Sequence, residues 1–127
     1  VWGDGGKRMV EVPVFQMRLS DMWMELMALE YTELRVVASR ASGGMPGPES
    51  SLLKMKGTEI SQSSHELQVQ LASYYGGALQ GELSSEVLGH NFATEARGKY
   101  MYGRAATIYG GSNEVQRNVI AKAVLGL

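Results

Sequence analysis

The stretch that follows Pro13 limits the fold most. Phe15, Leu19, Met22, Leu26, Leu29 and Val36 recur there at intervals of four, three, four, three and seven residues, the period of one face of an α-helix. Pro13 suits a first helical turn, where its missing N–H costs nothing. Ser42-Gly43-Gly44 stops the run, and Arg35 and Arg40 lie near the carbonyl end, where a cation is favoured. Trp23, Met24 and Met27 widen the apolar surface beyond a single stripe. More than one face of this helix is therefore expected to be covered, by neighbouring helices or by another subunit.

A long helix needs partners, and the rest of the chain supplies candidates. Val1 to Val12, with Gly3, Gly5 and Gly6, reads as a loose lead-in. Pro46-Gly47-Pro48-Glu49-Ser50 restarts the chain, and Leu53, Ile60, Leu67 and Tyr74 follow at heptad spacing up to Gly76-Gly77. Gly57 and Ser64 lie one turn from these anchors and would let a neighbouring helix approach closely, so this run reads as the second arm of an antiparallel pair. A third helix is expected from about Ser84 to Ala106, carrying Val87, Phe92, Ala96 and Tyr100, although Gly89, Gly98 and Gly103 each cost about 1 kcal/mol against Ala. The last helix starts at the N-cap Ser112, carries Val115, Val119, Ile120, Ala123 and Val124 on its apolar face, and ends at Gly126. With three prolines and no sustained alternation of β-branched residues, no strand is expected. The predicted fold is all-α, a four-helix up-and-down bundle, with residues 1–12 as lead-in and 13–127 as the domain.

Composition then removes whole classes of function. A length of 127 residues with 44% hydrophobic content fits one domain with a core. Twelve Lys and Arg against thirteen Asp and Glu leave a formal charge of −1, without the basic excess of a general nucleic-acid binder. No cysteine is present, which excludes disulfides, cysteine-ligated metal centres and thiol nucleophiles. No run of about 18 apolar residues could span a bilayer, and no signal-peptide pattern is found. A soluble, cytoplasmic domain is the expectation, and the opening at Val1 without an initiator Met predicts a piece of a longer parent.

Few side-chain constellations carry chemistry. His65-Glu66 is followed at the fourth position by Val69, so a zinc-protease helix lacks its second ligand. A di-iron carboxylate site would need Glu three residues before His, where Gln62 and Val87 stand. No metal site is expected, and both histidines read as surface or packing residues. The eight methionines read as core filling. Arg97, Lys99 and Arg104 read most simply as a solvated basic face, with phosphate binding as the other reading. No nucleophile-elbow motif occurs.

One segment stands apart: Tyr109-Gly110-Gly111-Ser112-Asn113-Glu114-Val115-Gln116-Arg117. A glycine pair before a capped helix leaves backbone N–H groups unobstructed and adds the positive end of the helix dipole, which suits a phosphate or a polarised carbonyl oxygen. The Gly-Lys-Ser/Thr ending of a P-loop is missing. From the residues alone, a capped helix–helix turn and an oxygen-binding loop both stand.

The run from Arg104 through Thr107-Ile108-Tyr109-Gly110-Gly111-Ser112-Asn113-Glu114-Val115-Gln116-Arg117 to Leu127 closely resembles the C-terminal signature of the acyl-CoA dehydrogenases. Arg18-Leu19-Ser20-Asp21-Met22 resembles the start of the first long helix of that family's C-terminal domain. Pro46 to Glu59 resembles the start of the second helix in a bacterial branch that includes pimeloyl-CoA and steroid side-chain dehydrogenases. The resemblance spans nearly the whole chain but leaves out the family's N-terminal helical domain and middle β-domain.

What the resemblance implies is α,β-dehydrogenation of an acyl-CoA thioester. A carboxylate removes the α-proton, the β-hydride passes to FAD, and an electron-transferring flavoprotein reoxidises the flavin. The enolate-like charge on the thioester oxygen must be stabilised by donors placed there beforehand. By position, the backbone N–H of Gly110 is one donor, with Tyr109 and Gly110 on the substrate side. Gly111, Ser112 and Glu114 fall where members of the family contact FAD, often that of a neighbouring subunit. A homo- or hetero-oligomer, dimer or tetramer, is implied.

The departures narrow this reading. Many members carry the catalytic Glu immediately after the loop Tyr, where this chain has Gly110, so no base is identified here. The Arg and Phe that commonly precede the first helix are replaced in the region Trp2 to Gly6, the Gln ahead of the Gly-Gly pair is matched by Ser73, and the Arg-Asp ahead of the loop by Met101-Tyr102. The expectation is a domain that supplies the FAD-facing loop and the oligomer core and is inactive alone. The alternative is a non-catalytic assembly subunit or helical interaction module.

Overall fold

The computed structural model describes residues 8–45, 47–72 and 91–126. Among these residues four α-helices follow one another, α1 (Pro13–Ala41), α2 (Glu49–Ala72), α3 (Asn91–Gly103) and α4 (Asn113–Leu125), with 3₁₀ turns at Met9–Glu11 and Arg104–Thr107. Among the described residues there is no strand, so the fold is all-α, with its helices in the expected order. The expectations that fall on Trp2 to Gly6, Ser73, Tyr74, Gly76-Gly77, Val87, Gly89 and the side chain of Phe92 lie outside the described residues.

The chain groups into two compact units, residues 1–22 with 61–105 and residues 23–60 with 106–127. In the second unit, α1 and α2 run antiparallel. Arg40 at the end of α1 donates to Ser50 at the start of α2 (3.2 Å), and Glu25, earlier in α1, approaches Lys56 further along α2 at 3.8 Å. Gly57 is the point of close approach: a Cβ there would lie 3.8 Å from the Leu29 side chain, as its small size predicts. Met55, Thr58 and Ile60 are buried, and the Thr58 hydroxyl is satisfied by the Lys54 carbonyl at 2.8 Å.

In the first unit, α2 and α3 run antiparallel. Gln62 of α2 donates to the carbonyl of Gly103 at the end of α3 (3.1 Å), while Ala72 at the end of α2 packs with Ala93 and Ala96, 2% and 1% exposed, nearer the start of α3. Such small residues let the backbones draw close, and Val69 fills beside them. Gly103 is tighter still: a Cβ there would fall 2.6 Å from His65 Nδ1. His65 is thus packed against the end of α3, and its Nδ1 is buried without a hydrogen-bond partner. Arg18 of α1 donates to Gln70 of α2. Phe15, the one buried residue of α1, lines a groove of about 630 Å³ with Leu19, Met22, Leu67, Leu71 and Arg8.

Several expectations are corrected. The lead-in is not loose throughout, since Met9–Glu11 forms a 3₁₀ turn tied by the Arg8 N–H to the Glu11 carboxylate at 3.1 Å. The third helix ends at Gly103, not Ala106, and the chain tightens into 3₁₀ geometry over Arg104–Thr107. The apolar face assigned to α4 is not buried: Val115, Val119 and Val124 are all exposed, and the buried residue of that helix is polar Asn113. Trp23, Met24 and Met27 are exposed as well, together with Met17, Tyr31, Leu34 and Val37 on α1. These residues satisfy helical periodicity and are left exposed by the described helices, so of the two covers expected for α1, neighbouring helices or another subunit, the neighbouring helices do not supply it. Of the described heptad anchors of α2, only Ile60 is fully buried.

Candidate functional site

The glycine loop lies in the second unit, between the 3₁₀ turn and α4. Gly110 and Gly111 both have positive φ, 62° and 91°, a region where a side chain costs about 1–2 kcal/mol. Tyr109, Gly110 and Gly111 are exposed and Ser112 is half-buried. A Cβ at Gly110 would meet nothing within 4 Å. Backbone conformation, not crowding, is what favours glycine at that position.

Two side chains pin the loop's carbonyls from behind. Gln116 Nε2 donates to the Gly110 carbonyl at 2.7 Å, and Lys54 Nζ donates to the Gly111 carbonyl at 2.8 Å. Every described peptide bond is trans, so each N–H points opposite to the carbonyl of its own peptide. Drawing the carbonyls of Gly110 and Gly111 back therefore turns the N–H groups of Gly111 and Ser112 away from Gln116 and Lys54. These amides directly precede the start of α4, where the positive end of the helix dipole adds to their attraction for an oxygen.

Ser112 caps α4 as its sequence position predicts, accepting from the Val115 N–H at 3.4 Å, and Gly126 ends the helix in the left-handed region at φ 70°. Glu114, fully exposed in the first turn, has its carboxyl held below the usual carboxylate range. Its own backbone N–H is the largest cause and the Ser112 hydroxyl the next; burial works against them, and Arg117 and then Lys54 add weaker attraction. The loop thus presents amide donors, one hydroxyl and one charged acceptor along a single short segment. The amides and the Ser112 hydroxyl are donors of the kind that a phosphate or a polarised carbonyl oxygen accepts, and the Glu114 carboxylate is an acceptor suited to a hydroxyl.

Asn113 and Gln116 fall within the segment that stands apart in the sequence, though not for these contacts, and Lys54 does not stand out. Each belongs to a helix whose pattern explains it without reference to the loop, and Lys54 lies over fifty residues away. A clue was available for Gln116, placed four residues after the cap, where a side chain can reach back over the first turn. Two residues of the expected basic face have structural employment: Lys99 of α3 pairs with Glu95 at 2.8 Å, and Arg104 of the following 3₁₀ turn lies 4.2 Å from the Tyr100 ring centre and 3.8 Å from Glu66. No group of acidic and histidine side chains able to hold a metal occurs among the described residues, and no helix there is long and apolar enough to cross a membrane.

Residues 3–125 match the family model described as the acyl-CoA dehydrogenase C-terminal domain. The chain belongs to the acyl-CoA dehydrogenase family. It is similar to acyl-CoA dehydrogenase IpdE1 of Mycobacterium tuberculosis, 34% identical over 122 residues, which cover 91% of this chain and 27% of that protein. Its namesake in Mycolicibacterium smegmatis is 48% identical over 54 residues, 37% of this chain and 14% of that one. The chain therefore spans about a quarter of the length of the curated relative it matches most fully. Among solved structures, the ChsE4-ChsE5 complex from Mycobacterium tuberculosis has the same fold, with a TM-score of 0.76 at 23% identity, covering 100% of this chain and 32% of that one. The acyl-CoA dehydrogenase C-terminal domain is thus the fold on which the glycine loop is carried.

Proposed function

We propose that this segment is the part of a flavin-dependent acyl-CoA dehydrogenase that presents the loop Tyr109–Glu114 to FAD and to the acyl-CoA thioester. Tyr109 and Gly110 face the substrate in this reading, and Gly111, Ser112 and Glu114 hold the flavin. The observation that carries it is the backward pull of Gln116 and Lys54 on two successive carbonyls, which turns the Gly111 and Ser112 amides outward in an exposed loop. The N–H of Gly110 belongs to the preceding peptide and joins them as the donor assigned to the thioester oxygen. When bound, FAD supplies the acceptor for the β-hydride. This segment's own contribution is to bind, orient and stabilise charge on the thioester oxygen.

The loop position where many members carry the catalytic Glu is Gly110 here, which has no side chain to act as the base. The base then comes from outside these residues, and the segment alone is inactive. The exposed apolar residues of α1 and α4 support subunit contacts, and the likeness to a two-protein complex favours a hetero-oligomer. An electron-transferring flavoprotein as acceptor and a cytoplasmic location complete the reading. Purified alone, the segment is expected to lack the visible flavin band and acyl-CoA turnover, while the natural full-length protein, with its partner subunit, shows both. Bound flavin and turnover in the isolated segment would overturn the proposal.

The exposed apolar surface also favours a second reading, a non-catalytic assembly subunit. Flavin content per subunit in the purified natural complex separates the two. A variant with a bulky side chain at Gly111 that removes flavin supports the first, and unchanged flavin supports the second.

A further inference from the structure

Lys54 is tied to the chain at three separate points. Its ammonium group donates to the Thr107 carbonyl at 3.3 Å, the Gly111 carbonyl at 2.8 Å and Asn113 Oδ1 at 3.0 Å. An ammonium has three donors and no acceptor, so this side chain is fully spent on these contacts. It cannot also bind a ligand. The three acceptors lie before, within and after the glycine pair, so one cation from α2 clips the segment 107–113 from behind. Asn113, only 8% exposed, is the anchored end of that clip.

The arrangement is unfavourable for helix stability taken alone. A cation beside the first turn of α4 has the wrong sign for the helix dipole, and all three acceptors are formally neutral. What the contact does achieve is orientation. Gly110 and Gly111 are the residues with the greatest backbone freedom in the loop, and both sit at positive φ. Fixing the Gly111 carbonyl fixes the plane of the Gly111–Ser112 peptide, and the charge on that carbonyl polarises the peptide toward a stronger N–H donor at Ser112.

We propose that Lys54 is a positioning residue: by holding the Thr107 and Gly111 carbonyls on either side of the Tyr109–Gly110 peptide, it keeps the Gly110 amide in place for the thioester oxygen, without touching substrate itself. This rests on the loop reading given under Proposed function. Preorganised donors act through their placement, and a displacement of about 1 Å can cost about a hundredfold in rate.

The test uses the natural full-length enzyme with its partner subunit. Its probes are short-, medium- and long-chain straight saturated acyl-CoA thioesters, isotope-labelled at the thioester carbonyl. The readouts are the carbonyl infrared stretch of the bound thioester, kcat and KM. In the wild type the stretch is expected below its value in free thioester. Lys54→Met is expected to return it toward the free value and to lower kcat roughly ten- to hundredfold with a smaller change in KM. Lys54→Arg, which keeps the charge but presents a planar fork, is expected to recover part of both. If Lys54→Met does not fold, Lys54→Gln serves, since it keeps a donor but loses the charge, and an intermediate stretch is expected. A wild-type stretch and kcat in Lys54→Met or Lys54→Gln would overturn the role of Lys54 and leave the loop reading intact. An unshifted stretch in the wild type with every probe would overturn the loop reading itself.

Discussion

Where α2 meets α3, the packing is closed by small side chains; where α2 meets residues 107–113, it is closed by polar ties. In the first region Ala72, Ala93 and Ala96 are buried, and Gly103 lies so near His65 that a methyl group would not fit without movement. In the second, Ile108, Tyr109 and Val115 are exposed, and the segment is held by Lys54, Gln116 and the Ser112 cap. The alanine seam is fixed by volume. The loop is fixed by direction, since each hydrogen bond orients a peptide plane while burying little. Substitutions should therefore register as stability in the first region and as ligand binding and rate in the second.

The largest expected effect tests that division. Ala96→Leu adds bulk at a position 1% exposed, and is expected to destabilise by about 1–3 kcal/mol. Ile108→Ala removes a larger side chain from a position 70% exposed, and is expected to change stability by no more than about 0.5 kcal/mol. Urea titrations followed by circular dichroism compare the two. Equal losses would break the distinction between a region held by volume and one held by direction.

A smaller effect sharpens the steric side. Gly103→Ala gains up to about 1 kcal/mol of helix propensity but places its Cβ against the His65 ring. A net loss of about 1 kcal/mol is expected, because tight seams penalise added atoms. In a His65→Ala background the same change should become neutral or stabilising. The double-mutant cycle then reports the contact itself, and additivity would show that the ring is not what excludes the methyl group.

The elements were legible in the sequence because periodicity and punctuation are local. Pro13, Ser112 and Gly126 marked helix ends with residues whose backbone chemistry forces the choice, and Gly57 marked the approach of Leu29. Which faces would be covered was not legible. Val115 and Val119 show the same spacing as a buried stripe, yet burial depends on what packs against them, and that is not encoded in their spacing. The loop was found because a glycine pair, a cap and a resemblance coincide within a few residues. Lys54 was missed because its three acceptors are two backbone carbonyls and one amide oxygen, none of which leaves a mark in the sequence at position 54. His65 packs against Gly103, one of the two roles, surface or packing, that its sequence setting leaves open. The cause of its position, the missing side chain of Gly103, is a contact between residues distant in sequence.

The smallest expected effect concerns the direction-held region and depends on pH. Glu114 is stabilised in its charged form by its own backbone N–H at the helix start and by the Ser112 hydroxyl, so its folded pKa is lower than its unfolded one. For a carboxyl lowered in this way, the contribution to stability is present above the ordinary carboxylate range and is lost as pH falls through the lower folded value. Glu114→Gln removes the titration. The difference in thermal midpoint between wild type and Glu114→Gln should thus be constant near neutral pH and shrink as the pH drops below the ordinary carboxylate range. Because the carboxyl is fully exposed, added salt should also reduce its attraction to Arg117 and Lys54. The loss caused by Ala96→Leu has no titrating group behind it, so its size should not follow the Glu114 titration. A Glu114→Gln difference that stays flat with pH would mean that the cap region is held by packing after all, and would erase the contrast with the alanine seam.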